Sequence, residues 1–362
     1  MKSLYIHVPF CTHICSYCDF PKMFYIKKWI HPYLKMLEKE IRENYKGELL
    51  NTIYIGGGTP SALSLEELKE LLEIVKMLHV TKNIEYTIEC NLENLTKEKI
   101  LLFKEYGVNR LSIGIQTFQK KQEQFLNRKI ISTEMIEFAK IQGFSNINID
   151  LIYALPNETI EELKDDLEQL IKLDVPHIST YSLMIEPHTI LSEKQTNPID
   201  EDLDATMYQI ICDTLKKHEF KHYEVSNFSK EGYESKHNLN YWNNLEYYGF
   251  GLGASGYVGN TRYTNTRSIT KYLNHEFRLE EEKLSEKDKM SYEMILGLRK
   301  LEGVSENTFY SKYQKRIDEV FDIIELIERK KLIKEDHYLK IDEKYIYLSN
   351  DILINFVGGY NE

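Results

Sequence analysis

Cysteine is scarce. Five occur in 362 residues, too few for a disulfide framework and in keeping with a reducing compartment. A basic excess is missing as well: 46 Lys and Arg stand against 57 Asp and Glu, a formal charge of −11, so the chain has no cationic footprint for nucleic acid. No run of about 18 apolar residues is available to cross a bilayer. The first ten residues also lack the charged-then-apolar layout of a secretory signal. These absences predict a cytoplasmic protein that does not bind nucleic acid. At 42% hydrophobic the chain is long enough for one large core plus an appended module, because single cores stop growing near about 250–300 residues.

What is present is unevenly placed. Three of the five cysteines, Cys11, Cys15 and Cys18, fall within eight residues, while Cys90 and Cys212 stand alone and are expected to be buried, inert thiols. A tetrahedral zinc site or an ordinary iron–sulfur cluster takes four ligands, and this group supplies three. Two readings follow. One is a structural zinc knuckle. The other is a 4Fe-4S cluster held by three thiolates, with its fourth iron open to a small molecule.

Short β-branched runs alternate with amphipathic stretches along the first half. Strands are predicted at Leu4–Val8, Thr52–Ile55, Tyr86–Glu89, Arg110–Ile115, Ile147–Ile152 and Ile178–Met184. Helical periodicity lies between them, as at Leu65–Leu78 and Glu162–Leu173. This alternation implies an α/β fold with parallel pairing, and six units are too few for a closed eight-fold barrel. A partial (β/α)6 barrel is expected, and such barrels build their sites at the C-terminal ends of the strands. The unusual polar residues fall there: the cysteine loop after the first strand, Gly56-Gly57-Gly58-Thr59-Pro60 after the second, then Glu89, Gln116 and Asp150. Glycine turns let a ligand approach the backbone closely, and Arg128 suits a carboxylate. Beyond Pro198 a helix at Leu203–His218 precedes an aromatic segment with a glycine run, Gly249–Gly256. That run imitates a dinucleotide motif without a strand-to-helix context. Three helical patterns (Asp288–Lys300, Glu306–Tyr313, Asp318–Lys330), a hairpin within Leu332–Leu348 and a short terminal helix predict a winged-helix-like module.

The motif CxxxCxxC, the segments Tyr5-Ile6-His7-Val8-Pro9-Phe10-Cys11, Gly56-Gly57-Gly58-Thr59-Pro60-Ser61 and Ser112-Ile113-Gly114-Ile115-Gln116-Thr117-Phe118, and Asn148-Ile149-Asp150-Leu151-Ile152-Tyr153 together resemble the HemN/HemW branch of the radical S-adenosylmethionine (SAM) proteins, across nearly the whole chain. The resemblance implies a radical SAM partial barrel over 1–198, a linking segment over 199–280 and a HemN-C-like domain over 281–362. It implies that Cys11, Cys15 and Cys18 hold a 4Fe-4S cluster, and that Tyr5, Gly57, Gly58, Thr59, Glu89, Gln116, Arg128 and Asp150 contact SAM. One departure stands out: relatives commonly read Leu-Gly-Arg-x-His where this chain has Leu126-Asn127-Arg128-Lys129-Ile130.

Two functions compete within the branch. Coproporphyrinogen III dehydrogenases continue the motif as CxxxCxxCxC after a longer N-terminal arm, whereas Asp19-Phe20 follows Cys18 here and ten residues precede Cys11. His237-Asn238-Leu239-Asn240-Tyr241-Trp242 instead resembles the HNxxYW motif of haem chaperones. That implies haem as a ligand, with His237 as its axial ligand and Tyr241 and Trp242 as apolar surface. The expected partners are respiratory haem proteins as recipients, a reducing electron donor, the inner membrane face and a second copy of the chain.

Overall fold

Polar and apolar residues largely alternate in several of the early strands, which places one face against helices and the other inward. In the computed structural model, which describes residues 2–128 and 132–358, these strands are Lys2–Val8 (β1), Leu50–Gly57 (β2), Val80–Asn91 (β3), Arg110–Gln116 (β4), Asn146–Tyr153 (β5) and His177–Ser182 (β6). They pair in parallel in chain order. Leu4, Ile6, Ile53, Ile55, Ile88, Leu111, Ile113 and Ile149 are buried in one core with helices such as Leu65–Lys76 and Ile160–Lys172. Both helices start at a capping box, Ser64 with Glu67 and Thr159 with Glu162, which supplies partners to otherwise orphaned amide N–H groups.

Six further strands follow: Lys221–Glu224 (β7), Asn227–Ser229 (β8), Tyr247–Phe250 (β9), Ser255–Val258 (β10), Thr261–Asn265 (β11) and Arg278–Lys283 (β12). The sheet runs β12-β11-β10-β9-β1-β2-β3-β4-β5-β6-β8-β7, a linear order that does not close. Strand β9 lies parallel to β1 on the side away from β2. It is a seventh parallel strand, which the sequence reading did not anticipate. The glycine run is thereby explained. Gly249–Gly256 joins β9 to the antiparallel β10, and its amides serve the core: Gly251 N donates to Glu40 Oε2 at 2.8 Å and Leu252 N to the Tyr33 hydroxyl at 3.3 Å. The run therefore joins strand to strand and is not the strand-to-helix turn of a dinucleotide motif.

Residues beyond 284 form helices Glu286–Gly297 and Glu306–Tyr313, two short turns and a hairpin, Leu332–Glu335 with Tyr338–Ile341. The third expected helix is broken. Phe321 adopts an extended backbone and Asp322 Oδ1 accepts Ile324 N, so Ile317–Val320 and Ile324–Glu328 are separate. The hairpin turns through Asp336 and His337, both with positive φ (49° and 67°), as a two-residue primed turn requires. Among the described residues no helix is long and apolar enough to cross a membrane.

Candidate cofactor site

The loop after β1 is tied down before it presents any sulfur. Met23 N donates to Pro9 O and Tyr25 N to Cys11 O, both at 2.8 Å, and Ser16 Oγ donates to Phe125 O at 2.8 Å. His7 fixes the far side. Its Nε2 bonds the Pro21 carbonyl at 2.7 Å and must donate there, which leaves Nδ1 to accept from the Tyr5 hydroxyl at 2.9 Å. Burial holds this imidazole neutral, down at about 4.

Cys11, Cys15 and Cys18 line one cavity of about 360 Å³, within the usual range for a ligand site. Burial pushes the Cys11 thiol up to about 11 and raises Cys18 as well, so a metal must displace protons to bind there. The three thiols supply one fewer ligand than a closed tetrahedral zinc site takes. Three sulfurs around one cavity suit a cluster in which each thiolate binds its own iron.

The rest of the lining follows the two-residue strand period. Arg110, Ser112, Gly114 and Gln116 on β4, Asn148, Asp150 and Ile152 on β5, and Ser179 and Tyr181 on β6 all face the cavity. Glu89 on β3 accepts from the Tyr54 hydroxyl at 2.7 Å and from Gly57 N at 2.9 Å. Burial nonetheless lifts its carboxyl to about 7, against those two donors and the Arg110 charge, with Asp150 adding to the rise. Asp150 is raised by burial too, and accepts from Asn148 Nδ2 at 2.8 Å. Gly57 sits at φ +114°, and a Cβ there would lie 2.6 Å from the His7 ring.

A hydrogen-bonded chain reaches the sulfur. Arg128 Nη2 donates to Asn91 Oδ1 (3.1 Å), Asn91 Nδ2 to Thr59 Oγ1 (3.1 Å) and Thr59 Oγ1 to Cys11 Sγ (3.6 Å). Arg128 is aimed by the turn before it. Asn127 takes the left-handed conformation, φ 54°, which glycine would otherwise fill, and its Nδ2 donates to Ile14 O at 3.0 Å. Lys129 and Ile130, the remainder of that sequence departure, lie outside the described residues.

Gly57, Gly58, Thr59, Glu89, Gln116, Arg128 and Asp150 thus share one cavity with the three cysteines. Tyr5 does not line the cavity; its hydroxyl bonds His7 Nδ1. His237 also stands outside the cavity lining. It is 1% exposed, its Nδ1 bonds Thr52 Oγ1 and its Nε2 the Tyr241 hydroxyl, each at 2.7 Å, and its ring stacks on Tyr54 at 5.1 Å. Thr52 donates onward to Ser3, so Nδ1 carries the proton and Nε2 accepts. Burial and the Arg110 charge lower the imidazole to about 3. Neither nitrogen is free for haem iron in this arrangement, and of the HNxxYW segment only Asn238 lines the cavity. Sequence reasoning missed Arg110, Asn91 and His7. Counting back by twos along β4 from Gly114 reaches Arg110, a signal that was available.

Residues 5–170 match the radical SAM superfamily and residues 284–349 the HemN C-terminal domain. The chain is 41% identical to the heme chaperone HemW of Lactococcus lactis, over 98% of this chain and 97% of that one. This chain belongs to the HemW family of radical SAM proteins. The heme chaperone HemW of Bacillus subtilis is 37% identical, with 99% and 100% of the two chains covered. In fold, the chain is similar to the coproporphyrinogen III oxidase HemN of Escherichia coli, with a TM-score of 0.87 over 98% of this chain and 89% of that one, at 19% identity. Membership of the radical SAM superfamily implies a 4Fe-4S cluster and SAM, and the three thiols and the acid-lined cavity fit them.

Proposed function

We propose that the chain is a haem chaperone, carrying a 4Fe-4S cluster with SAM on its open iron and delivering haem to respiratory haem proteins. The reading is carried by the full-length likeness to proteins named heme chaperone HemW. It is supported by Phe20 standing where a fourth cysteine would extend the motif. Phe20 and Met184, 61% and 68% exposed at the cavity lining, offer apolar surface to a macrocycle at the mouth. Ligation of haem iron by His237 belongs to this reading only if Tyr241 gives up Nε2. The reading further takes the protein to act in the cytoplasm, at the inner membrane face, with a reducing electron donor and a second copy of the chain.

The similarity in fold to a coproporphyrinogen III oxidase favours a second reading, a radical SAM oxidative decarboxylase of coproporphyrinogen III. Parallel assays on the anaerobically reconstituted protein separate the two. The chaperone is expected to bind about one haem per chain and leave coproporphyrinogen III unconverted. Formation of protoporphyrinogen, with no haem binding, would reverse the assignment.

A further inference from the structure

Two apolar side chains stand in the open at the cavity mouth on backbone that is itself anchored. Met184 follows β6, whose end is fixed where Leu183 N donates to Tyr153 O at 2.9 Å. Leu183 turns into a small core with Ile152 and Leu155, and Met184 lines the cavity. Phe20 precedes Pro21, whose carbonyl takes His7 Nε2 at 2.7 Å. Large apolar groups held exposed beside a ligand cavity mark a contact surface.

A haem docked on that surface needs an iron ligand, and His237 is sealed away. His, Cys, Tyr and Met side chains hold haem iron, and the cavity lining narrows the choice. Cys11, Cys15 and Cys18 belong to the cluster. Tyr17, Tyr54 and Tyr181 are phenols, which keep their proton up to about pH 10, and Tyr54 already donates to Glu89. His13 is committed as well. Asn127 Nδ2 donates to Ile14 O at 3.0 Å, so its Oδ1 is turned to His13 Nε2, at 3.2 Å, and accepts that proton. The other ring nitrogen, Nδ1, lies next to the point of attachment, where Cβ would crowd a flat macrocycle. The Met184 thioether has no proton to lose and no hydrogen bond to give up.

Charge at the mouth also suits a haem, which carries two propionates. Arg267 is exposed and, among the described residues, makes no hydrogen bond or ion pair. A Cβ on Gly253 would fall against the Pro21 ring with Arg267 Cγ 3.8 Å away, so the arginine stem lies beside the residue that joins Phe20 to Lys22. A guanidinium pairs with a carboxylate through two parallel N–H bonds.

We propose that haem docks at this mouth with Met184 Sδ as its iron ligand, Phe20 against the ring and Arg267 on a propionate. The inference deepens the haem-chaperone reading and rests on it. A single thioether leaves the other face of the iron open to a recipient's own ligand, as transfer requires. The test is anaerobic titration of the reconstituted full chain with ferric haem and with its dimethyl ester, read by absorbance. The wild type is expected to show the red charge-transfer band of a thioether on ferric iron. Met184→Leu, which keeps the apolar surface and removes the sulfur, is expected to lose that band and about tenfold in affinity. Met184→His is expected to recover the affinity with a histidine-type Soret band. Arg267→Gln is expected to weaken haem by about threefold and to leave the dimethyl ester, which carries no carboxylate, unaffected. Wild-type haem binding without the band, or a band that survives in Met184→Leu, overturns the ligation. No loss in Arg267→Gln, or equal loss of haem and ester, overturns the propionate contact. A wild type that binds no haem would instead sink the chaperone reading itself, whereas haem bound alike by every variant would leave that reading standing and remove this site.

Discussion

A carboxyl enclosed as Glu89 is cannot be indifferent to pH. Its folded-state value near 7 lies above the ordinary 4.5, so the ligand-free fold binds the extra proton and loses stability as pH rises between those values. SAM binding runs the other way, since an ammonium needs the ionised acid. Affinity is expected to climb as pH rises toward 7 and then level, and Glu89→Gln to weaken binding by about tenfold or more, as read by calorimetry. His237 gives a second prediction at this scale. Because its two nitrogens hold Thr52 and Tyr241, His237→Ala leaves both without a buried partner and is expected to cost about 3 kcal/mol of stability. The haem Soret band is expected to stay unchanged; a shifted or lost band would make His237 the ligand after all.

Elements decide which residues meet, and here local sequence was only partly informative. The cysteine loop, the glycine turn, Glu89 and Asp150 were legible because each is a strand-end polar residue, and parallel α/β order puts strand ends on one rim. Arg110 and Asn91 were not, since their meaning comes from neighbours across strands rather than along the chain. The setting of His237 was not legible for a related reason. A histidine beside aromatic residues looks the same in sequence whether it faces a cavity or the back of Thr52. Strand β9 was missed because its partner β1 lies more than two hundred residues earlier. Its entry depends on Gly249, where a Cβ would fall 1.8 Å from Ser255 O. Gly249→Ala is expected to destabilise the protein by about 3 kcal/mol, seen as a lower thermal midpoint. An unchanged midpoint would mean the β9–β10 corner has slack that this packing does not show.

At the scale of the whole molecule, one sheet holds a sulfur-lined cavity at the carboxyl ends of its parallel strands, with apolar Phe20 and Met184 exposed at that cavity. The cluster is the hinge of this account. Cys11→Ala, Cys15→Ala and Cys18→Ala are each expected to lose the brown colour and the paramagnetic signal of the dithionite-reduced protein after anaerobic reconstitution, with the fold retained by circular dichroism. A cluster that survives loss of any one of these thiols would require a ligand set different from the one described. The most direct test of the central claim is haem transfer. The reconstituted, haem-loaded protein is mixed with a respiratory haem protein stripped of its haem, and the Soret bands of donor and acceptor are followed. The account expects the donor band to fall as the acceptor band grows, faster than from free haem; haem that never leaves the protein, or was never bound, would contradict it.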